Sequence, residues 1–288
     1  MGPGRAGAPG PAAVTPGGAA LLAALAAAPP HWIEPVTGMD FVTVPAGRFV
    51  MGSPPDEPGR EAQETRHEVT LTRAFQMGRL EVTQAQWTRV MGVNLSAFTG
   101  GERPVERVSW LEAQAFLRRL GALSPGSAFR LPTEAEWEYA CRAGTTTAYA
   151  TGATLGPDQA HFRAAGGGGG ADPRGTVRAG SFAANAWGLQ DLSGNVWEWT
   201  EDEHCPYPEG AVRDPRPACG SALKVIRGGS WYFGADSARC ALRYTHAPAD
   251  RGFSLGFRVV REAASSRGAP RRVRRPRRPP PSPRTSPS

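Results

Sequence analysis

The clearest alternation of apolar and polar positions lies within residues 185–202, which read NAWGLQDLSGNVWEWTED. Successive strand residues point to opposite faces, so this pattern predicts a half-buried strand with Trp197 and Trp199 on one face and Glu198 on the other. The Ser-Gly-Asn sequence before it is typical of a tight turn. Glu198 is then either a solvated side chain or, with Asp191 and the carbonyls of the turn, a ligand for a hard cation such as Ca²⁺.

Other alternating stretches predict further strands. FVTVPAGRFVMGS, which starts two residues after Met39, predicts a strand, a Pro-Ala-Gly turn and a second strand that together form a β-hairpin. Residues 67–83, HEVTLTRAFQMGRLEVT, predict a strand pair or one long bent strand. Apolar runs at 224–231, 239–244 and 255–260 predict the last extended segments.

Three sites carry a helix-start signature, in which Ser or Thr is followed three residues later by Glu or Gln. The three pairs are Thr83 with Gln86, Ser109 with Glu112 and Thr133 with Glu136. The first helix is predicted to end near Met91, the second at Gly121 and the third at Gly144. The second helix is predicted to bury an apolar stripe that includes Leu111 and Phe116.

Composition changes the picture mainly at the C-terminus. The chain has 36 Gly and 28 Pro, so turns and loops must connect much of its core. The segment 265–288 contains eight Arg and no acidic residue, and it accounts for the net charge of +7. The remainder is near neutral and shows no nucleic-acid footprint. We predict that this Arg/Pro-rich tail is disordered, with contact to an acidic polymer or cell surface as its functional alternative.

Residues 1–30 form a leader of Ala, Gly and Pro. Residues 19–28, AALLAALAAA, have the length of a signal-peptide core, and Arg5 supplies a sparse positive region before it. Pro29 follows the small-residue cleavage site directly, where cleavage is disfavoured. A cleaved secretory signal and a disordered leader therefore both stay open. No apolar run in the sequence approaches the roughly 20 residues of a membrane-spanning helix.

Seven sequence blocks occur in a characteristic order: VPAGRFVMGS, LEVTQAQW, RPVERVSWLEAQAF, RLPTEAEWEYACRAG, WGLQDLSGNVWEWTED, VIRGGSW and LGFRVVR. In this order and spacing they resemble the formylglycine-generating enzyme, or sulfatase-modifying factor, family, from about Phe41 to Arg261. The resemblance implies one α+β domain, here residues 31–264, with a C-type-lectin-related fold and much irregular structure. It also implies structural calcium and an extracytoplasmic setting, periplasmic or secreted.

The family's reaction oxidises a sulfatase cysteine, within a C-x-P-x-R motif, to formylglycine with O₂ and Cu(I). The resemblance therefore implies a sulfatase, or another protein or peptide, as the partner. Cu(I) is soft and needs a pair of thiolates, which in the family follow the G-G-S motif. Here the nine residues after Ser230 contain no cysteine, and Phe233 stands in the place of the first thiol. Copper oxidation, and copper as a cofactor, are therefore not expected.

The four cysteines form no C-x-x-C pair, which argues against a zinc site and allows two disulfides. The resemblance implies that Cys141 pairs with Cys240, because the family has structural half-cystines at both positions. Cys205 and Cys219 bracket a proline-rich loop, and we predict a second, shorter disulfide there without support from a family pattern.

The resemblance also assigns a calcium site to the central turn. The implied ligands are the side chains of Asp191 and Glu198 and the carbonyls of Gly194 and Val196. Asp191 stands where the family more often has Asn, so it keeps the oxygen ligand and adds a negative charge. With this context, the calcium interpretation of the turn is preferred over the solvated one.

Two functions follow for the chain as a whole. The first is a catalytically silent binding or accessory protein whose cleft, lined by Trp197, Ser230, Trp231 and Arg243, holds a peptide or another polar ligand. The second is an enzyme, either a formylglycine-generating oxidase or a catalyst of another protein or small-molecule oxidation. Ser230 is the one weak catalytic candidate, and no histidine stands near it in the sequence to act as its base.

Overall fold

The computed structural model of the chain describes residues 31–164 and 175–262. The predicted leader, the run of glycines at 166–170 and the Arg/Pro-rich tail lie outside the described residues. The helices are α1 (Gln84–Met91), α2 (Trp110–Leu123) and α3 (Glu134–Arg142), and a short 3₁₀ helix spans Ala235–Ala238. The strands are β1 (His31–Ile33), β2 (Asp40–Val44), β3 (Gly47–Met51), β4 (His67–Leu71), β5 (Phe75–Gly78), β6 (Ala128–Arg130), β7 (Trp197–Glu203), β8 (Val212–Arg213), β9 (Lys224–Arg227), β10 (Tyr244–His246), β11 (Leu255–Gly256) and β12 (Val260–Glu262).

The strands form three small sheets. Their orders are β1-β2-β5-β12-β6, β10-β9-β7-β11 and β3-β4-β8. Strand β12, near the end of the described chain, pairs with both β5 and β6 and so lies inside the first sheet. Between α3 and β7 the described residues contain only isolated bridges, so loops rather than regular elements lead the chain into the central strand.

The hairpin predicted from FVTVPAGRFVMGS is wrong. Strand β2 pairs with β1 and β5, whereas β3 pairs with β4 in a different sheet. Phe41 and Val42 are both fully buried, so β2 has apolar contacts on both faces and occupies an interior position in its sheet. Pro45 and Ala46 therefore carry the chain from one sheet to another. The next pair behaves likewise, because β4 and β5 also belong to different sheets.

The helix starts are confirmed at all three predicted capping boxes, since each N-cap hydroxyl accepts the N3 amide and each N3 side chain accepts the N-cap amide. Helix α1 ends at Gly92, whose φ of 86° is left-handed, and α3 ends at Ala143 (φ 44°) just before Gly144 (φ 89°). The predicted stop of α2 at Gly121 is wrong, because the helix continues to Leu123. It stops where Pro125 follows the C-cap, since the residue before a proline disfavours the helical conformation.

The predicted apolar stripe of α2 is also partly wrong. Leu111 is 53% exposed, whereas Phe116 is fully buried. The buried face consists of Ala113, Phe116, Leu117 and Leu120. The sequence prediction placed the apolar stripe about one position too far toward the N-terminus, because it counted Leu111, near the start of the helix, as the first member.

The core has two parts. One contains Trp87, whose ring stacks on Phe116 at a centroid distance of 5.4 Å, and extends to Phe257 and Trp199. The other surrounds Trp137 and the disulfide between α3 and the segment before β10. In residues 31–164 and 175–262, none of the helices combines the length and the apolarity that crossing a bilayer requires.

Both predicted disulfides are confirmed. Cys141 is bonded to Cys240 across 99 residues of sequence, and Cys205 to Cys219 across 14. All four cysteines of the chain are therefore used. The first bridge is completely buried in the core around Trp137, whereas Cys219 lies at the surface.

We expect the two disulfides to differ in their effect on stability. Removing the first with C141A/C240A should lower the free energy of unfolding by about 4–5 kcal/mol, and removing the second with C205A/C219A by about 3 kcal/mol, because the entropy that a crosslink removes from the unfolded chain grows with loop length. Urea unfolding followed by tryptophan fluorescence measures both. Equal or greater destabilisation by C205A/C219A would contradict this order.

Candidate functional site

A tight turn places the start of β7. Gly194 has φ 88°, and a Cβ there would lie 2.3 Å from the carbonyl oxygen of His161, so only glycine fits. Asn195 follows with φ 56°. Its side-chain amide donates to Glu81 Oε2 at 2.7 Å, and its Oδ1 accepts the amide of Val177 at 3.0 Å. A buried acid, Glu81, therefore fixes the turn. The sequence analysis did not identify it, although an acid between apolar residues in LEVT could have indicated it.

Strand β7 is buried on both faces, which corrects the half-buried strand of the sequence prediction. Trp197 is 4% exposed and Trp199, on the same face, is fully buried. Glu198 on the opposite face is also fully buried, so it is not a solvated side chain. Strands β9 and β11 flank β7, and α3 packs against it.

Glu198 is held by a buried cation. Arg258 donates to both carboxylate oxygens, from Nε and Nη2, at 2.6 Å each. Trp137 Nε1 donates to Oε2 at 2.7 Å. The remaining donors of Arg258 reach the carbonyls of Gly78 and Gln190 at 3.1 and 3.0 Å. One guanidinium thus links β7 to the end of β5 and to the loop at Gln190, and it binds Glu198 in the bidentate geometry in which such pairs are strongest.

Acidic charge exceeds basic charge around this pair. Three buried carboxylates, those of Glu81, Asp191 and Glu198, interact with the one guanidinium of Arg258. Asp191 accepts the amide of Gly180 through Oδ2 at 2.5 Å, but its Oδ1 is buried with no hydrogen-bond partner among the described residues. Burial raises the pKa of Asp191 to about 6, and burial with the charges of Asp191 and Glu198 raises the pKa of Glu81 well above its usual value.

The predicted calcium ligands fit a hard cation in part. Asp191 offers a buried carboxylate oxygen that lacks a partner, and the excess negative charge favours a divalent cation. Both oxygens of Glu198 already accept hydrogen bonds, so Glu198 would coordinate a cation only while sharing an oxygen with Arg258 or Trp137. The carbonyls of Gly194 and Val196 belong to the same turn.

Six aromatic rings next to this turn form a connected group that we call the aromatic surface. Its members are Trp197, Trp231, Tyr232, Phe233, Tyr244 and Phe253, and neighbouring ring centroids lie 5.4 to 5.8 Å apart. The two tryptophans are buried beneath, whereas Tyr232 is 45%, Phe233 37%, Tyr244 51% and Phe253 43% exposed. The exposed rings come from three separate segments, so only the fold brings them together.

The G-G-S motif connects the aromatic surface to the turn. The amide of Trp231 donates to the carbonyl of Asn195 at 3.0 Å, and the amide of Gly194 donates to the carbonyl of Gly228 at 2.7 Å. Ser230 is only 1% exposed, and its hydroxyl accepts the amide of Tyr232 at 3.4 Å. The predicted catalytic candidate therefore lies beneath the aromatic surface.

Arg243 does not join Trp197, Ser230 and Trp231, which corrects the predicted cleft. Its guanidinium is buried and binds Glu134 through two hydrogen bonds of 2.9 and 2.7 Å. It also lies 4.0 Å from the ring centre of Tyr207. The next residue, Tyr244, stacks on Trp197 instead, with centroids 5.8 Å apart. Adjacent residues of an extended segment point to opposite faces, so Tyr244 joins the aromatic surface and Arg243 points away from it.

A family model, described as the sulfatase-modifying factor enzyme 1-like domain, matches residues 31–263. The chain belongs to the sulfatase-modifying factor family. The resemblance stated from the sequence is thereby confirmed, and with it the α+β, single-domain fold. The family includes proteins of both kinds that the sequence left open, since its named relatives comprise formylglycine-generating enzymes and proteins named inactive.

Individual relatives show how far the similarity reaches. The chain is 34% identical over 208 residues to the formylglycine-generating enzyme of Streptomyces coelicolor, covering 66% of this chain and 62% of that protein. It is 32% identical over 206 residues to the mouse protein named inactive C-alpha-formylglycine-generating enzyme 2, covering 66% and 58%. The chain thus spans less than two thirds of these relatives. Among solved structures, PvdO from Pseudomonas aeruginosa is 28% identical with a TM-score of 0.71, covering 81% of this chain and 98% of PvdO.

We expect Glu198→Gln to lower the free energy of unfolding by about 3–5 kcal/mol, because it removes the bidentate carboxylate partner of the buried guanidinium of Arg258. The control is Glu262→Gln. The carboxylate of Glu262 pairs with Arg130 at 2.9 Å but is 52% exposed, so its loss should cost less than about 1 kcal/mol. Both are measured by urea unfolding in chelator, which removes any contribution from bound cations. Similar values for the two variants would contradict a structural role of the buried pair.

Proposed function

We propose that this member of the sulfatase-modifying factor family is a binding or accessory protein that holds a peptide or another polar ligand on the aromatic surface, without copper-dependent oxidation. The observation that supports this most directly is the group of four half-exposed rings beside the G-G-S motif. A contiguous exposed aromatic area on a folded domain is typical of an interaction site.

The chemistry of the surface suits such a ligand. Aromatic side chains offer a large contact area and lose little conformational entropy when they bind. Trp231 Nε1 is buried beneath the exposed rings with no hydrogen-bond partner among the described residues, so one polar donor at this surface is unsatisfied. Arg163 lies 5.6 Å from the ring centre of Tyr232 and adds a positive charge at the edge. Apolar contact with a few polar groups at its margin favours an extended peptide.

The state of the sulfur atoms supports the absence of copper oxidation. A Cu(I) site in this family needs a thiolate pair, and here all four cysteines are in disulfides. Phe233, in the place of the first thiol, packs edge-on against Trp197 as part of the aromatic surface. The alternative, a formylglycine-generating activity on a sulfatase or another oxidation, is favoured by the 34% identity to the Streptomyces coelicolor enzyme.

We further propose a structural Ca²⁺ at the turn, held by the side chains of Asp191 and Glu198 and the carbonyls of Gly194 and Val196. Support comes from the unpartnered buried oxygen of Asp191 and from the excess of buried carboxylates over guanidinium groups. Glu81 would contribute charge, while its oxygens hold Asn195 and the amide of Val196. The cation would neutralise the turn and fix it beneath the aromatic surface.

The two disulfides support an extracytoplasmic location, periplasmic or secreted, for the proposed function. Disulfides persist in oxidising compartments and are rare in the reducing cytosol. The predicted leader would provide the export signal, although it lies outside the described residues. Mass spectrometry of the protein recovered from its native host tests both points, by the position of its N-terminus and by the oxidation state of its cysteines.

Calcium should raise the melting temperature relative to chelator, and Asp191→Ala should abolish this difference, whereas the exposed-site control Asp158→Ala should retain it. The pKa of Asp191 without calcium is raised to about 6, so this group stabilises the fold at low pH and loses that contribution as pH rises through 6. The effect of calcium should therefore be larger at about pH 7.5 than at about pH 5. Differential scanning fluorimetry measures it, and a wild-type protein indifferent to both calcium and chelator would contradict the site.

A synthetic peptide containing C-x-P-x-R should bind without being oxidised. Binding should quench the fluorescence of the buried tryptophans, and the double variant Tyr232→Ala/Phe253→Ala should weaken it about tenfold or more, because these two exposed rings contact each other and both pack on Trp231. Leu111→Ala, at an exposed position on α2, serves as the control and should bind normally.

The same peptide tests catalysis. After incubation with copper, a reductant and O₂, mass spectrometry should find the peptide cysteine unchanged relative to a sample without protein. Formation of an aldehyde with turnover would overturn the non-oxidase proposal. Unaltered affinity in Tyr232→Ala/Phe253→Ala would reject the aromatic surface as the peptide site, whatever the outcome for catalysis.

A further inference from the structure

A second concave site lies apart from the aromatic surface, next to the N-terminus of α3. It is a cavity of about 310 Å³ lined by Asp202, Tyr207, Arg243, Arg216 and several prolines. Asp202 and the start of α3 meet there, because the amide of Glu134 donates to Asp202 Oδ2. None of the six rings of the aromatic surface lines this cavity.

Asp202 is an acid without a close counter-charge. It is only 4% exposed, and within residues 31–164 and 175–262 nothing donates a hydrogen bond to its Oδ1 or forms an ion pair with it. Glu134, the other acid of the cavity, already binds Arg243 at 2.7 Å and Arg227 at 3.4 Å. Arg216 lines the cavity, but its guanidinium has its closest acidic partner, Glu262, at 4.0 Å. Burial raises the pKa of Asp202 to about 7.

The wall of the cavity is aromatic and proline-rich. The ring of Tyr207 is joined by Pro206, Pro208, Pro215 and Pro217. Surfaces of this composition bind extended proline-containing segments, whose conformation is largely fixed before binding and therefore costs little entropy. An acid at the base of such a wall selects for a basic side chain within the segment, and the planar guanidinium of arginine best matches a carboxylate.

The described chain ends beside this cavity. Glu262, the last residue of β12, contacts Arg130 at 2.9 Å and Arg216 at 4.0 Å. All three line a larger groove of about 840 Å³, which shares Pro215 and Arg216 with the cavity. The 26 residues that follow, 263–288, contain eight Arg and seven Pro and no acid. At roughly 3.3 Å per residue, a fully extended segment of this length spans up to about 85 Å.

We propose that the C-terminal segment 263–288 folds back along the groove and places an arginine in the cavity against Asp202, with neighbouring prolines against Tyr207. The occupant is this chain's own segment, because the segment begins at the groove and has the charge and composition that the cavity selects. The guanidinium supplies the directly bonded counter-charge that Asp202 lacks among the described residues, where Arg216 acts on it only at longer range. The segment is thereby a bound part of the domain rather than a free extension.

Photo-crosslinking in the full chain tests this arrangement. A benzoylphenylalanine replaces Val273, the one large aliphatic residue of the segment, and mass spectrometry maps its crosslinks. We expect crosslinks to residues 202–217 within the same chain, which mixtures of light and heavy isotope-labelled protein distinguish from crosslinks between copies. Crosslinks between copies, or to other parts of the chain, would overturn the proposal.

Asp202→Asn isolates the charge, because the amide oxygen can still accept from Glu134. This variant should reduce the yield of crosslinks to 202–217 about tenfold, the factor that corresponds to about 1.4 kcal/mol of lost attraction. Asp158→Asn, at an exposed acid that lines neither the cavity nor the groove, is the matched control and should leave the yield unchanged. An equal loss in both variants, or no loss in Asp202→Asn while its melting temperature shows an intact fold, would contradict the pairing with Asp202.

Discussion

The buried ion pair between Glu198 and Arg258 is the interaction on which the rest of this structure depends. It joins the central strand β7 to the segment before β12, and through the carbonyls of Gly78 and Gln190 it also holds the end of β5 and one loop. A buried ion pair adds little net stability compared with an apolar pair, since both charges must leave water. Its value lies in specificity, because any arrangement that separates the two groups leaves an uncompensated charge in the core.

Three other buried arginines form the same kind of ion pair. Arg227, Arg239 and Arg243 are each at most 1% exposed, and each pairs with a buried glutamate. Each also donates to main-chain carbonyls, as Arg227 does to three successive residues around Cys240. A fold with short strands and long loops leaves many carbonyls without a ladder partner, and the five donors of a guanidinium can satisfy several at once. Buried arginines therefore satisfy main-chain carbonyls in the loops of this domain, as hydrogen bonds between strands satisfy those in a sheet.

This framework explains how an exposed aromatic group can remain on a stable domain. The half-exposed rings of Tyr232, Phe233 and Phe253 rest on Trp197 and Trp231, which are themselves fixed by β7 and by the hydrogen bond to Asn195. The rigid part, with Trp197 and Trp231, thus lies beneath the surface, and the exposed rings lie on top of it. This arrangement suits a family whose members differ in chemistry on one fold. Phe233 belongs to the upper layer, where its ring packs on Trp197.

The sequence by itself determined the features that depend on neighbours within a few residues or on the family's motif order. The three capping boxes, the end of α1 near Met91, the two disulfides and the family were all predictable in this way. Capping is local, because the hydroxyl of Ser109 or Thr133 and the amide it accepts are three residues apart. The turn at Gly194 was also indicated, since its residues require positive φ.

Only the tertiary structure decided which strands pair and which charges meet. The segment around Pro45 has the chemistry of a hairpin, yet β2 and β3 enter different sheets because their apolar faces find other partners. Glu198 and Arg258 are 60 residues apart, and Arg243 and Glu134 are 109 residues apart, so no local pattern reports either pair. Arg243, which precedes β10, points into the core, and Tyr244, the first residue of β10, points to the aromatic surface, but which side was which depended on the pairing of β10 with β9. Burial is a property of the assembled layers, and for that reason it could not be read from the spacing of residues along the chain.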